Sequence, residues 1–282
     1  MQIREALRRG RDAIARLGSD EAELEAEILL RHALGLDRAH LYQHLSDDIG
    51  ADRHEAYEGL LTRRLAHEPV PYITGNKEFF GLEFEVTPAA LIPRPETETL
   101  VEAAIAFARE RDAKPLTIVD VGVGAGTIAV PLAVNLPEAH LIATDISAEA
   151  LDLARRNAER HGVAGRISFV RGDLLLAVRG PVDIIAANPP YLATAIWENE
   201  IPEIKDYEPR FALDGGADGL DAVRRLLGQA PERVAPGGAL FCEIGEWQGA
   251  AARELAAAAF PAGRVEVRPD LAGRDRVLAV YT

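Results

Sequence analysis

The sequence is poor in the residues that build covalent and metal frameworks. One cysteine, Cys242, stands among 282 residues, which excludes an internal disulfide and a cysteine-based zinc site. It falls in an apolar run, where inert packing is its expected use. His32, His40, His44, His54 and His67 form no His-Glu-x-x-His pattern and are read as surface or helix-packing residues, so no metal is expected. No run of eighteen apolar residues exists, so no membrane-spanning helix is expected. The opening Met1-Gln2-Ile3-Arg4-Glu5-Ala6-Leu7 lacks the apolar core and small-residue cleavage site of a secretory signal. A cytoplasmic protein is the expectation. Cations are also in deficit, with 31 Lys and Arg against 45 Asp and Glu and a formal charge of −14. Residues 1–71 hold ten Arg against fourteen acids, so this part is no basic arm either. Nucleic-acid binding depends largely on neutralising phosphates, so the balance favours a protein or small-molecule substrate.

What is present is a change of rhythm. Residues 1–66 read as helices throughout. Ile3, Leu7, Ile14 and Leu17 make one helical stripe that Gly18-Ser19 breaks. Asp20 with Glu23 suggests a capping box for a second helix whose apolar face is Leu24, Ile28 and Leu34, with Gly35 as its stop. Further helices are expected over 38–45 and 52–66, and Glu21, Glu23, Glu25 and Glu27 read as a solvated face. Glu68-Pro69-Val70-Pro71-Tyr72 reads as a linker. Apolar and charged residues then alternate about Gly81, as in a β-hairpin.

Leu91–Glu98 is too proline-rich for a regular element and leads into a helix over 97–109. Strands follow near 117–121, 140–144, 166–170, 182–187, 238–244, 263–267 and 276–281, mostly separated by helices. That rhythm predicts an α/β fold, a mostly parallel sheet covered on both faces. No helix separates the last two strands, so they are expected to pair antiparallel at one edge. The expected divisions are a helical domain over 1–68, a linker with the hairpin over 69–96, and the α/β domain over 97–282.

The chemistry gathers at strand ends, where open α/β sheets place ligands. Leu116–Val121 runs straight into Gly122-Val123-Gly124-Ala125-Gly126. Glycines at alternate positions allow a tight turn or a close approach to a ligand. The spacing is not that of the dinucleotide fingerprint, and no Lys or Arg marks a phosphate. A nucleoside cofactor without phosphate fits, and S-adenosylmethionine is the expected one. Asp145 ends the next strand, where an acid suits two ribose hydroxyls. Asp173 follows the third, placed to accept from an adenine amino group while Leu174 packs on the ring. Each acid alone reads equally well as a helix cap or a loop charge. The fourth strand, Asp183–Ala187, ends in Asn188-Pro189-Pro190-Tyr191. The prolines stiffen the turn, and its oxygen acceptors suit a planar NH2 group.

The combination of Gly122–Gly126, Asp145, Asp173 and Asn188–Tyr191 resembles Rossmann-like methyltransferases acting on a planar nitrogen. Pro71–Gly75, Glu78–Gly81, Leu91–Glu98, Glu208–Leu213 and Asp270–Arg276 narrow the resemblance to the PrmC/HemK family. It runs from about residue 69 to the end, with only helical character in common before that. The resemblance implies a class I methyltransferase sheet with a small helical N-terminal domain. It implies methyl transfer from S-adenosylmethionine to the glutamine side-chain nitrogen in the Gly-Gly-Gln motif of class-1 peptide chain release factors.

By the same resemblance, Asn188, Pro189 and Tyr191 are the catalytic residues, and these with Pro190 hold the glutamine. Gly122, Val123, Gly124, Ala125, Gly126, Asp145, Asp173, Leu174 and Asn188 contact the cofactor. Val123 and Ala125 depart from relatives that often carry hydroxyl residues there. Tyr191 is expected to wall the glutamine slot. Glu96 and Glu98 read either as contacts to the cofactor or a lid, or as helix N-terminal carboxylates. Asp214–Gly219 and Trp197 are expected near the substrate. The helical domain is expected to grip the release factor, with no direct nucleic-acid partner, no membrane, and a monomer as the working unit. Competing readings are a ribosomal-protein glutamine methyltransferase, a nucleic-acid adenine methyltransferase, and a non-catalytic cofactor-binding module.

Overall fold

A computed structural model describes residues 1–111 and 115–282. The chain divides into two compact units: Met1–Asn76 with Ile201–Tyr207, and Lys77–Glu200 with Glu208–Thr282.

The first unit holds helices α1 (Ile3–Ala15), α2 (Ala22–Leu34), α3 (Arg38–Gln43), α4 (Ala51–Leu65) and α5 (Val70–Thr74). Its core is built on Ile14, Leu29, Leu30, Leu41 and Tyr57. The buried face of α2 is Ala22, Ala26, Glu27, Leu29, Leu30 and Leu34, with Ile28 packed against the same core. Of the expected face Ile28 and Leu34 therefore hold, whereas Leu24 is 43% exposed, and alanines at helical spacing widen the buried stripe. The expected Asp20/Glu23 capping box does not form, and Glu21 is the N-cap. Ser19 instead accepts from the Glu21 N–H at 3.2 Å and donates to Glu25 at 2.9 Å. Gly35 ends the helix in the left-handed region, φ 64°. Gly10 lies mid-helix because a Cβ there would sit 2.0 Å from the Tyr57 hydroxyl.

The acidic run is not all solvated. Glu27 is buried beside Arg31, Arg38 and Tyr42. Glu25 and Glu203 share the buried Arg64, which ties the 201–207 excursion into this unit. The two prolines at 69 and 71 open α5 rather than a structureless linker. A first helical turn has no N–H partners to lose.

In the second unit, β1 (Asn76–Phe79) and β2 (Leu82–Glu85) form a two-stranded sheet. The remaining elements are α6 (Thr97–Arg109), β3 (Thr117–Val121), α7 (Ala129–Asn135), β4 (His140–Asp145), α8 (Ala148–Arg160), β5 (Ile167–Arg171) and β6 (Val182–Ala187). They continue through α9 (Thr194–Trp197), α11 (Asp221–Gln229), β7 (Val234–Glu243), α12 (Gly249–Ala259), β8 (Arg264–Pro269) and β9 (Asp275–Tyr281). The short α10 (Pro202–Lys205) belongs to the first unit.

Seven strands run in the order β5-β4-β3-β6-β7-β9-β8. Only β9 runs antiparallel, pairing with both β7 and β8. The α/β expectation holds, with the antiparallel pair at one edge. Strand β7 begins four residues before the sequence suggested. A register shift opposite Val182/Ile184 absorbs Pro236-Gly237-Gly238. Alternate residues Val119, Val121, Ile185, Ala187, Leu240 and Cys242 pack against α11 and α12. On the opposite face, Phe241 packs with Phe107 of α6 and with Tyr281. The chain order reverses between β3 and β6, and such switch points leave a crevice at the strand ends.

Candidate active site

A cavity of about 480 Å³ opens at that crevice, within the range of small-molecule sites. Gly122 to Ala125, Asp145, Asp173 and Leu174 line it, together with Asn188, Pro189 and Pro190. Gly126 and Tyr191 do not.

The glycine loop is held by backbone bonds. The Gly122 and Val123 N–H groups donate to the Thr144 carbonyl at 2.8 and 2.9 Å. Gly124, at φ 54°, donates to Asp145 Oδ2 at 3.0 Å. Asp145 Oδ1 accepts from the Ser147 N–H at 2.9 Å. Burial raises the Asp145 pKa, and N–H donors from Ser147, Gly124 and Ile146 oppose that rise. Each carboxylate oxygen has room for a further donor from the cavity. Gly126 serves packing instead: a Cβ there would lie 3.1 Å from Val130 Cγ2 and 3.5 Å from Ala154. Ala125 packs with Ala90 and Leu153, and its carbonyl accepts from Asn157 Nδ2 at 2.9 Å. The buried Asn157 also exchanges two hydrogen bonds with the Glu85 backbone, coupling loop to hairpin.

Two further acids lie beneath the site, and neither was singled out in the sequence. Asp120 is fully buried and accepts from the Ala129 N–H at 2.8 Å, but its Oδ1 has no partner among the described residues. Burial pushes its pKa up to about 7. Glu243 at the end of β7 is likewise buried and pushed up to about 7 by desolvation. Its Oε2 accepts from Thr97 Oγ1 at 2.6 Å, and its Oε1 has no partner among the described residues.

Asn188 reaches the cavity from the end of β6, and its Nδ2 donates to Thr97 Oγ1 at 3.0 Å. Tyr191 follows the prolines and does not line this cavity. Its phenol is held above its usual pKa, first by burial and then by the nearby Glu243. Its carbonyl accepts from Gln248 Nε2 at 3.0 Å. The 214–219 loop backs this turn closely. Asp214, Gly215 and Gly216 line the cavity, and a Cβ on Gly219 would lie 2.1 Å from the Tyr191 carbonyl oxygen.

Asp173 is paired with Arg225, and Arg94 with the buried Glu208. Glu208 also accepts from the Ile92 N–H at 3.1 Å, so one carboxylate fastens the proline-rich strap over the cavity. Glu98 accepts from the Phe80 N–H at 2.9 Å, and Glu96 is the exposed N-cap of α6. Neither lines the cavity. Trp197 stacks under the Arg210 guanidinium at 4.2 Å, also away from the wall.

Residues 5–75 match the family described as PrmC N-terminal domain, and residues 103–202 the Methyltransferase small domain. The chain is 43% identical to the release factor glutamine methyltransferase of Moorella thermoacetica, across 100% of this chain and 99% of that one. With the protein of the same name from Cereibacter sphaeroides it shares 44% identity, over 99% and 98%. The chain belongs to the release factor glutamine methyltransferase family. It is an S-adenosylmethionine-dependent methyltransferase, as the resemblance implied. The N-terminal domain of human METTL16 in complex with SAH shares the fold, with a TM-score of 0.50 and 19% identity over 72% of this chain and 76% of that one.

The cavity of this methyltransferase suits a nucleoside cofactor without phosphate. The two arginines on its wall, Arg94 and Arg225, are each already neutralised by a carboxylate. Asp145 has spare acceptor capacity toward a diol. Leu174 and Ile146 offer apolar surface for a flat ring.

Proposed function

We propose that this protein transfers a methyl group from S-adenosylmethionine to the side-chain amide nitrogen of glutamine in the Gly-Gly-Gln motif of class-1 peptide chain release factors, in the cytoplasm. One observation carries the reading. Asn188 stands on the cavity wall that also bears Asp145, with one N–H of its Nδ2 given to Thr97. Its Oδ1 takes no hydrogen bond from the described residues and is left to accept one.

Bound S-adenosylmethionine supplies an electrophilic methyl group on a sulfonium. Asp145 would hold the ribose hydroxyls, the glycine loop would let the backbone approach, and Leu174 would pack on the adenine, with Asp173 able to accept from its amino group. A glutamine amide nitrogen is a poor nucleophile because its lone pair is delocalised into the carbonyl. Asn188 Oδ1 and the Pro189 carbonyl accept its two hydrogens and hold it in line. They also stabilise positive charge as it develops on nitrogen. The proton leaves to solvent after transfer, so no strong base is needed. Tyr191 is proposed to wall the glutamine slot, its phenol lying near Glu243 and Arg94. The helical unit of residues 1–76 is proposed to recognise the release factor beyond the three-residue motif.

The test is peptide mass spectrometry after incubation with S-adenosylmethionine and, separately, an unmodified release factor, ribosomal proteins and duplex DNA. Methylation of the Gly-Gly-Gln glutamine alone is expected. A methyl group only on a ribosomal glutamine or on adenine would replace the substrate assignment.

A further inference from the structure

An asparagine amide is nearly symmetric in shape, and it can present either its oxygen or its NH2 to a cavity. Only the oxygen can accept from a substrate amide. The side chain alone does not choose. The choice falls to Thr97 and Glu243. In its ionised form, which predominates above about pH 7, Glu243 only accepts, so the 2.6 Å contact then commits the single hydroxyl proton of Thr97 to it. Thr97 Oγ1 then has only lone pairs left for Asn188, 3.0 Å away, and lone pairs select the Nδ2 side of the amide. Thr97 is 1% exposed and Glu243 fully buried, so water does not compete for these bonds.

We infer that Thr97 and Glu243 are positioning residues whose hydroxyl–carboxylate relay fixes Asn188 with Oδ1 toward the cavity, ready to accept from the substrate NH2. The inference rests on the proposed acceptor role of Asn188. The relay joins the first turn of α6, the end of β6 and the end of β7. The charged and titratable groups facing Glu243 are Glu96 from the start of α6, Tyr191 from the turn after β6 and Arg276 from β9.

Thr97→Val keeps the shape and removes the hydroxyl, while Thr97→Ser restores it. Thr97→Val should lower kcat by about 10- to 100-fold, with the KM for release factor and the Kd for S-adenosylmethionine within about threefold of the unaltered protein. Thr97→Ser should recover to within about threefold. A second readout needs no turnover. The Asn188 side-chain NH2 resonance in ¹⁵N-asparagine-labelled protein, assigned by its loss in Asn188→Ala, should exchange with solvent at least about tenfold faster in Thr97→Val. Unchanged kcat in Thr97→Val, unchanged exchange, or a Kd for S-adenosylmethionine that worsens as much as kcat would each overturn the relay. If the unaltered protein methylates no release factor while the exchange shift appears, the substrate reading fails and the relay stands.

Discussion

The two halves of the cavity are built on different principles. On the β3–β4 side, the glycine loop and Asp145 are held by backbone N–H groups, and both oxygens of Asp145 are engaged. On the β6–β7 side, Asn188 is held by side chains, through Thr97 to Glu243, and Glu243 keeps an unpartnered oxygen. The proposed cofactor half therefore depends on backbone path, and the proposed amide half on a few distant side chains. A substitution in one half should leave the other largely intact.

The strongest challenge to that separation is Gly219→Ala. A Cβ would lie 2.1 Å from the Tyr191 carbonyl oxygen, at a residue whose φ is 77°, so the turn carrying Asn188 must shift. Turnover should fall by about 100-fold or more, with the cofactor Kd by calorimetry within about threefold. An equal loss in both would mean the halves are not separable.

Asp145→Asn makes the opposite cut. An amide cannot accept at both oxygen positions, so one of the Gly124 and Ser147 N–H groups loses its partner and the diol loses an acceptor. The cofactor Kd should weaken by about 30-fold, roughly 2 kcal/mol, with the release-factor KM little changed.

The last of these concerns Asp120, which bears on stability rather than on either contact surface. In the folded protein it holds its proton up to about pH 7, against 3.8 ordinarily. The folded state therefore binds more protons between those values. This group's contribution to stability is largest at low pH and declines as pH rises through about 7. Asp120→Asn can keep the acceptor for Ala129 while removing the charge. It should stabilise the protein at pH 8 by about 2 kcal/mol and by less than half of that at pH 5, measured by urea unfolding. An equal gain at both pH values would remove the titration argument.

The same contrast explains what could be seen in the sequence. The glycine loop, Asp145 and the Asn188 turn follow directly on apolar strands, so each announces its place at the sheet edge. Strand positions within the sheet were readable for the same reason, since buried parallel strands are continuous apolar runs. Thr97 and Glu243 lie 91 and 55 residues from Asn188, and nothing local marks their meeting. The Arg94–Glu208 clasp spans 114 residues and was visible only as two unconnected motifs. On α2 the reading held for Ile28 and Leu34 but not for Leu24, because alanines at helical spacing share the buried stripe.

The most direct test of the account compares Asn188→Ala with the unaltered protein in two assays run side by side. These are single-turnover methylation of a release factor and calorimetric binding of S-adenosylmethionine. The account predicts a loss of about 10³-fold or more in the methylation rate, with cofactor affinity within about threefold. A cofactor affinity that falls in proportion to the rate would contradict it, and would make Asn188 part of the cofactor's holding rather than the acceptor of the glutamine amide.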